Sequence, residues 1–166
     1  MIEYSKMINC VFFDGVSFTS NGIRFFTRSK WGHEAIEVSP SASLPLIEAW
    51  HFEDGLRWGY SSYDKHTPGT EYEVWGLPVS QDEYDYCMGE YDRYARTKMP
   101  YDRIGIVGFV LKWKRDSKKG MFCSEGCSRS IIEKRKYDIN PAHVSPEDAY
   151  RMVQFAGGEL IRKGVC

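Results

Sequence analysis

The first half of the chain alternates apolar and polar residues with the period of two that is typical of β-strands. Five runs have this pattern or a short, continuously apolar form of it: Ile8–Phe13, His33–Val38, Leu44–Phe52, Leu56–Tyr60 and Glu71–Leu77. The Glu53-Asp54-Gly55 tripeptide between the third and fourth runs is a hairpin turn signal. Because the runs follow one another with turn residues between them, we expect consecutive antiparallel strands in the middle of the chain.

After the fifth run the apolar residues recur with the period of a helix. Ser80 and Glu83 form a capping box, which predicts that a helix starts there, and the helical pattern continues to about Lys98. A second helix is expected from Cys123 to about Lys136, after a glycine that breaks the chain. The switch from strands to helices indicates an α+β protein rather than an all-β one.

The last third of the chain adds one more helix and one more strand. Ser145 is a suitable N-cap and Pro146 suits the first helical position, so a helix is expected from there to the Gly-Gly pair that follows. Glu159–Arg162 predicts a final short strand. The apolar run Ile104–Leu111 fits a buried strand or a buried helix, and Lys112–Lys119 is a basic, exposed loop. We therefore expect an antiparallel sheet packed against helices.

The composition fits one folded domain covering residues 1–166. Hydrophobic residues make up 42% and charged residues 27%, which is enough apolar material for a core. With 22 basic and 23 acidic residues the net charge is −1, so no nucleic-acid partner is expected. No run approaches the roughly 18 apolar residues of a membrane span, so no membrane-spanning segment is expected either.

The cysteines and the start of the chain suggest a compartment. There are five cysteines, an odd number, and Met1–Lys6 is polar rather than the beginning of a secretory signal. Reduced thiols are the usual state in a cytoplasm. We therefore expect a cytoplasmic protein without disulfides.

Cys123 is the candidate nucleophile. It lies at the predicted start of a helix, where unpaired backbone N–H groups and the positive end of the helix dipole favour thiolate over thiol. In such settings the pKa of a cysteine falls from about 8.5 to roughly 3.5–7.5. Cys127 lies on the same helix face four residues on and is expected to pack in the core.

A nucleophilic cysteine needs a base, and four histidines are available. His33 opens a strand and ranks first. His66 lies in a polar loop and is expected to be solvated, while His143 precedes the last helix and is expected on the surface. His51 lies towards the end of its strand.

Metal and cofactor motifs do not emerge from the sequence. Cys123 and Cys127 lack a second close pair of cysteines or histidines, which a structural zinc site requires. The chain also has no phosphate-binding loop, dinucleotide fingerprint or HExxH motif. We expect neither a metal nor a cofactor.

Five short segments, in this order, resemble those of a known family. They are Thr27–Ile36, Ile47-Glu48-Ala49, the strand and acidic helix start Val74–Glu83, Pro100–Gly105 and Cys123-Ser124-Glu125. Their order resembles that of the circularly permuted papain-like cysteine hydrolases, specifically the YiiX-like branch of the NlpC-type amidase superfamily. Lecithin–retinol acyltransferase-like proteins are similar more distantly. The resemblance covers residues 10–135 and implies a permuted papain-like fold in which 104–111 is helical.

Carried over to this chain, the family pattern makes Cys123 the nucleophile and His33 the general base. Glu48 is the candidate that orients the imidazole from the neighbouring strand, and Glu37, on the His33 face of its own strand, is the second candidate. The backbone N–H of Cys123 would help to form the oxyanion hole. Four aromatic residues would wall the substrate cleft: Trp31, Trp50, Tyr101 and Phe122.

The implied reaction is hydrolysis through a thioester acyl-enzyme, on an amide of peptide or cell-wall type or on an ester. The family also acts on lipid acyl groups, so an acyltransferase with the same Cys/His site stays open as an alternative. A binding module without turnover is the other alternative. The expected partner is a peptide-like or acylated substrate, and the sequence does not indicate an oligomeric state.

One position departs from the family pattern. Gly126 and Cys127 follow Cys123-Ser124-Glu125 where the family has apolar residues. A glycine costs a helix about 1 kcal/mol relative to alanine. One interpretation is that Gly126 leaves room for substrate.

Overall fold

A computed structural model describes residues 5–14, 30–102 and 120–166. These residues form six strands: β1 (Lys6–Asp14), β2 (His33–Glu37), β3 (Leu46–Phe52), β4 (Gly55–Ser61), β5 (Glu71–Val79) and β6 (Glu159–Val165). They also form three α-helices: α1 (Gln81–Arg96), α2 (Cys123–Arg135) and α3 (Pro146–Phe155). The predicted α+β class is confirmed. Ile104–Leu111 and Lys112–Lys119 lie outside the described residues.

The strands form one antiparallel sheet in the order β4-β3-β2-β1-β5-β6. The predicted hairpin is confirmed: Phe52 pairs with Gly55, and Gly55 has a φ of 116°, a conformation that glycine adopts without strain. β6 is longer than the predicted Glu159–Arg162 and pairs with β5 at the edge of the sheet. The chain thus returns from its helices to complete the sheet.

Side-chain hydrogen bonds set the starts of α1 and α3, as the capping boxes predict. Ser80 accepts a hydrogen bond from the Glu83 amide, and Ser145 accepts one from the Asp148 amide. In both helices the side chain of the third helical residue accepts a hydrogen bond from the backbone amide of the cap residue. α2 ends at Lys136, which adopts the left-handed conformation with a φ of 54°.

The sheet has an apolar core on each face. The larger core lies between the sheet and the helices and includes Ile8, Phe12, Ile36, Ile47 and Trp58. The smaller core lies on the opposite face and consists of Val11, Phe13, Ala35, Leu46 and Val74. Since side chains alternate along a strand, His33 shares the second face with Ala35, and Glu48 shares it with Leu46.

β2 and β3 pair over a short length only. Their register joins Ile36 to Ile47 and Glu37 to Leu46. The first residues of β2 and the second half of β3 therefore diverge, although β3 stays paired with β4 as far as Phe52. α2 packs against both strands, and its first residue, Cys123, reaches the start of β2.

Trp58 holds the start of α2 against the sheet. Its indole N–H donates to the carbonyl of Met121 at 3.1 Å, and its ring lies on Gly126. A methyl group added at Gly126 would lie 2.1 Å from Cζ2 of Trp58. The interpretation that Gly126 leaves room for substrate is therefore wrong, because the Trp58 ring occupies that space.

Two helical glycines provide a matched test of this contact. We expect Gly126→Ala to lower the free energy of unfolding by about 1–3 kcal/mol, because the methyl group overpacks the Trp58 ring. Gly89 lies in α1 with no atom within 4 Å of its added methyl group, so Gly89→Ala should raise the free energy of unfolding by about 0.5–1 kcal/mol. Urea unfolding of the two variants measures both. Stabilisation by Gly126→Ala would contradict the packing role of Trp58.

Candidate active site

His33 and Glu48 form a buried pair on the divergent parts of β2 and β3. His33 Nε2 lies 2.7 Å from Glu48 Oε2. His33 is 6% exposed and Glu48 is fully buried. The structure thus places Glu48 where it can orient the imidazole, and Nδ1 is left as the ring nitrogen for a second partner.

That partner is the thiol of Cys123. Its sulfur is in hydrogen-bonding contact with the His33 side chain and accepts from the backbone N–H groups of Glu34 and Ser124. Phe122 precedes the helix with extended backbone angles, and its side chain has no acceptor for the first-turn amides. The sulfur therefore receives N–H groups from both the helix start and β2.

The charges of the three groups depend on one another. Burial raises the pKa of Cys123, but the His33 imidazolium and the two backbone N–H groups outweigh it and lower that pKa. Burial disfavours the imidazolium as well, yet the Cys123 thiolate and Glu48 raise the pKa of His33 to about 10. Burial likewise raises the pKa of Glu48, but the hydrogen bond to His33 and the proximity of His66 bring it down to about 2. A thiolate–imidazolium pair results.

Tyr101 is a further contact of the nucleophile. Its hydroxyl is in hydrogen-bonding contact with Cys123, and burial and the nearby thiolate raise its pKa. Its backbone amide donates to Leu56 at 3.3 Å, while Met121 donates to the preceding carbonyl, that of Pro100, at 3.1 Å. The sequence predicts Tyr101 as a cleft wall, and the structure brings its hydroxyl to the sulfur itself.

The other predicted wall residues differ in their surroundings. Trp50 is half-buried, and its ring centroid lies 5.0 Å from that of His33. Trp31 is 2% exposed and packs against Phe12 and Tyr150, with ring centroids at 6.0 and 5.2 Å. Trp31 is therefore part of the larger core, and its role as a cleft wall stays a prediction. Phe122 is buried as well.

Glu37, the second candidate for orienting the imidazole, has other partners. Arg162 donates two hydrogen bonds to its carboxylate, one of them at 3.1 Å. Tyr63 donates at 2.8 Å and Asn9 at 3.2 Å. The carboxylate of Glu37 thus ties β6 to β2, and Glu48 is the acid beside His33.

His66 differs from its prediction. It is 5% exposed rather than solvated, and its Nε2 lies 3.3 Å from Glu48 Oε2. No pattern in the polar segment around it indicated burial. His51 and His143 are exposed, in line with the predicted surface position of His143.

The opposite face of β2 carries a different buried acid. Glu34 lies in the core beside Cys10 and Cys127, and burial raises its pKa well above the ordinary value. The prediction that Cys127 packs in the core is confirmed. Within residues 5–14, 30–102 and 120–166, no group of three or more His, Cys, Asp or Glu is arranged to hold a metal ion.

A groove of about 550 Å³ lies on the β3–β4 hairpin beside Trp50. Polar and charged residues line most of it, among them His51, Arg57, Ser61, Lys65 and Lys98. Trp50 lines this groove and its ring also contacts His33, whereas Cys123 and His33 are not among the lining residues. None of the helices in the described ranges has the length and apolar character that crossing a bilayer requires.

The fold is similar to that of a solved structure, the metalloprotein yiiX from Escherichia coli O157:H7. The TM-score is 0.53 at 18% sequence identity, and the match covers 79% of this chain and 67% of that one. No protein-family model matches the chain, and no curated protein matches it in sequence. At this identity the likeness concerns the fold alone, and it confirms a YiiX-like α+β architecture.

The pH dependence of thiol alkylation tests the thiolate–imidazolium pair. The pKa of Cys123 is lowered and that of His33 is raised to about 10, so the thiolate should form at a lower pH than in an unperturbed cysteine. We expect iodoacetamide to label Cys123 rapidly at pH 6.5. His33→Ala removes the positive charge and should slow that labelling about 100-fold, since each unit of pKa is a factor of ten.

The control for that experiment is within the chain. Burial and Glu48 raise the pKa of the Cys166 thiol to about 11, so Cys166 should react slowly and equally in both proteins. Peptide mass spectrometry separates the two sites. A Cys123 that titrates like Cys166 would contradict the ion pair.

The two acids on the same sheet face give a second matched comparison. Glu48→Gln keeps the shape but removes the charge that favours the His33 imidazolium, so labelling of Cys123 at pH 6.5 should fall about tenfold or more. Glu37→Gln should leave that rate within about twofold, because Arg162 and Tyr63 hold its carboxylate away from the pair. Equal loss in both variants would assign the effect to general destabilisation.

Proposed function

We propose that this protein is a cysteine hydrolase that cleaves an amide or ester bond through a thioester acyl-enzyme. The observation that carries the proposal is the buried arrangement of Cys123, His33 and Glu48. The imidazole contacts the thiol on one side and the carboxylate on the other, at 2.7 Å. A nucleophile, a base and a group that orients the base are the three parts that such catalysis requires.

In the proposed reaction the Cys123 thiolate attacks the substrate carbonyl and forms a tetrahedral intermediate. The Cys123 backbone N–H, helped by the Tyr101 hydroxyl, stabilises the oxyanion. The His33 imidazolium then gives its proton to the departing amine or alcohol, and a carbon–sulfur thioester remains. Water, deprotonated by the now neutral His33, attacks the thioester, and cleavage of the carbon–sulfur bond regenerates the ion pair.

The order of the sequence motifs supports membership of the permuted papain-like hydrolases. The fold likeness alone does not distinguish a hydrolase from another protein with this architecture. The solved neighbour is named as a metalloprotein. In this chain the described residues supply a thiol, an imidazole and a carboxylate in contact, and our proposal therefore uses the thiol as the reacting group.

The groove beside Trp50 supports a peptide-like substrate over a lipid. Arg57, Lys65, Lys98 and Asp54 are among its charged lining residues. A long acyl chain would remove these charged groups from water, whereas a peptide offers carbonyl, amide and carboxylate groups to them. We therefore place an amide of peptide type first among substrates and an acyltransferase second.

Trapping the acyl-enzyme tests this function without knowledge of the natural substrate. With p-nitrophenyl acetate we expect release of p-nitrophenol and an acetyl adduct on Cys123 in the intact protein. Cys123→Ala and His33→Ala should lower the rate by about 100-fold or more, because nucleophile and base act as a unit. Added amines that take up the acetyl group faster than water does would identify an acyltransferase.

If the protein is instead a binding module without turnover, the opposite result is expected. Under it the parent protein forms no adduct, and its release of p-nitrophenol equals that of Cys123→Ala. A library of peptide amides tested with the parent and with Lys65→Ala then shows whether the groove contributes to turnover. Loss of peptide turnover with unchanged acetate turnover is the expected result for Lys65→Ala.

A further inference from the structure

One oxygen of Glu48 has two imidazoles beside it. Oε2 lies 2.7 Å from Nε2 of His33 and 3.3 Å from Nε2 of His66. The His66 nitrogen is buried but is not aligned for a full hydrogen bond, and it has no other hydrogen-bond partner among the described residues. The second histidine therefore lies beside Glu48, the acid of the proposed catalytic group.

The His66 ring is held in place by stacking and by its own backbone. It lies flat on Phe13, with ring centroids 4.0 Å apart and an interplanar angle of 9°, and its centroid is 4.6 Å from that of Trp50. The backbone N–H of His66 donates to the carbonyl of Tyr63 at 3.2 Å. An imidazole fixed on two sides has few orientations open to it.

The segment that carries His66 is also anchored to the last residue of the chain. Gly69 donates to the Cys166 carbonyl at 2.9 Å, and the Cys166 amide donates to Thr70 at 2.9 Å. This pair of bonds ties the segment to the end of β6. The backbone that carries His66 is therefore held in place by hydrogen bonds to another part of the chain.

The buried carboxylate of Glu48 would be stabilised by a second hydrogen-bond donor. It is fully buried, and its other oxygen, Oε1, has no hydrogen-bond partner among the described residues. An ionised carboxylate away from water is costly unless several donors meet it. In the proposed reaction His33 gives up its proton and becomes neutral, so at that stage Glu48 loses its positive partner.

We propose that His66 is a positioning residue that holds the Glu48 carboxylate ionised and in place while His33 cycles between its protonated and neutral forms. The proposal rests on the proposed function of Cys123 and His33. The titratable groups beside His66 are Glu48 on β3 and His33 on β2, and the Cys166 thiol lies close enough to Glu48 for that carboxylate to raise its pKa. Tyr63 and Tyr72 reach the same side through their contacts with Phe13, at 6.1 and 5.9 Å between ring centroids.

Two substitutions separate donation from stacking. His66→Phe keeps an aromatic ring against Phe13 and Trp50 but has no N–H, whereas His66→Gln keeps an N–H donor without the ring. His143→Phe is the matched control, since His143 is exposed. Each variant is compared with the parent for thermal unfolding, for the pH profile of Cys123 alkylation and for p-nitrophenyl acetate kinetics.

We expect His66→Phe to move the acid limb of the Cys123 alkylation profile upward by about one pH unit, because loss of a donor makes the buried carboxylate easier to protonate. The kcat for p-nitrophenyl acetate should fall about tenfold with little change in KM. His66→Gln should show a smaller shift than His66→Phe, and His143→Phe none. A purely structural role would lower the unfolding temperature and leave the acid limb where it is in the parent, which would overturn the proposal.

A direct titration of Glu48 decides the matter even if the proposed enzymatic function fails. Carboxyl-labelled glutamate gives a carbon NMR signal for Glu48, assigned by its absence in Glu48→Gln. We expect the pKa of Glu48, which is about 2 in the parent, to rise in His66→Phe and not in His143→Phe. An unchanged titration overturns the proposal, whether or not the parent shows turnover.

Two further measurements are made on the parent protein, so that the proposal can be tested even if the His66 variants do not fold. Nitrogen-labelled histidine shows whether Nε2 of His66 carries a proton near neutral pH, as a donor to Glu48 must. An Nε2 without a proton would overturn the proposal. Metal analysis of the purified parent is the second, since a stoichiometric metal lost in His66→Phe would make His66 a ligand instead of a positioning residue.

Discussion

The buried carboxylate of Glu48 is the constraint on which the arrangement of the site depends. Removing an ionised group from water is costly, and the cost is offset only where charged or N–H partners surround it. His33 and His66 both approach its Oε2. The ionised acid in turn favours the imidazolium form of His33, which lowers the pKa of Cys123. One buried charge thus influences the protonation of the other two groups.

Packing determines whether Cys123 can reach that pair. β3 leaves β2 after Ile47, and the start of α2 approaches where the strands diverge. Trp58 stabilises this approach twice, through its hydrogen bond to Met121 and through its ring on Gly126. An alanine at position 126 would overlap the Trp58 ring. Glycine lowers the stability of the helix itself, but it allows the helix to contact the sheet.

The elements of the fold follow mostly from local physics. Period-two and helical patterns predicted the strands and helices among the described residues, and the capping boxes at Ser80 and Ser145 marked two helix starts. Part of the candidate site could also be predicted, because the helix-start position of Cys123 and the order of the family motifs indicated Cys123, His33 and Glu48, which lie together in the structure. Pattern and motif alone did not identify the packing partners of Trp31, which are Phe12 and Tyr150.

By itself, the sequence determined the periodicity of each element, the helix caps and the residue types that can form a nucleophile, a base and an acid. Only the tertiary structure decided that His66 is buried and that Glu37 binds Arg162 instead of orienting His33. The reason is that these outcomes depend on contacts between segments far apart in the chain. The segment of His66 is anchored by Cys166, and no pattern around residue 66 contains that partner.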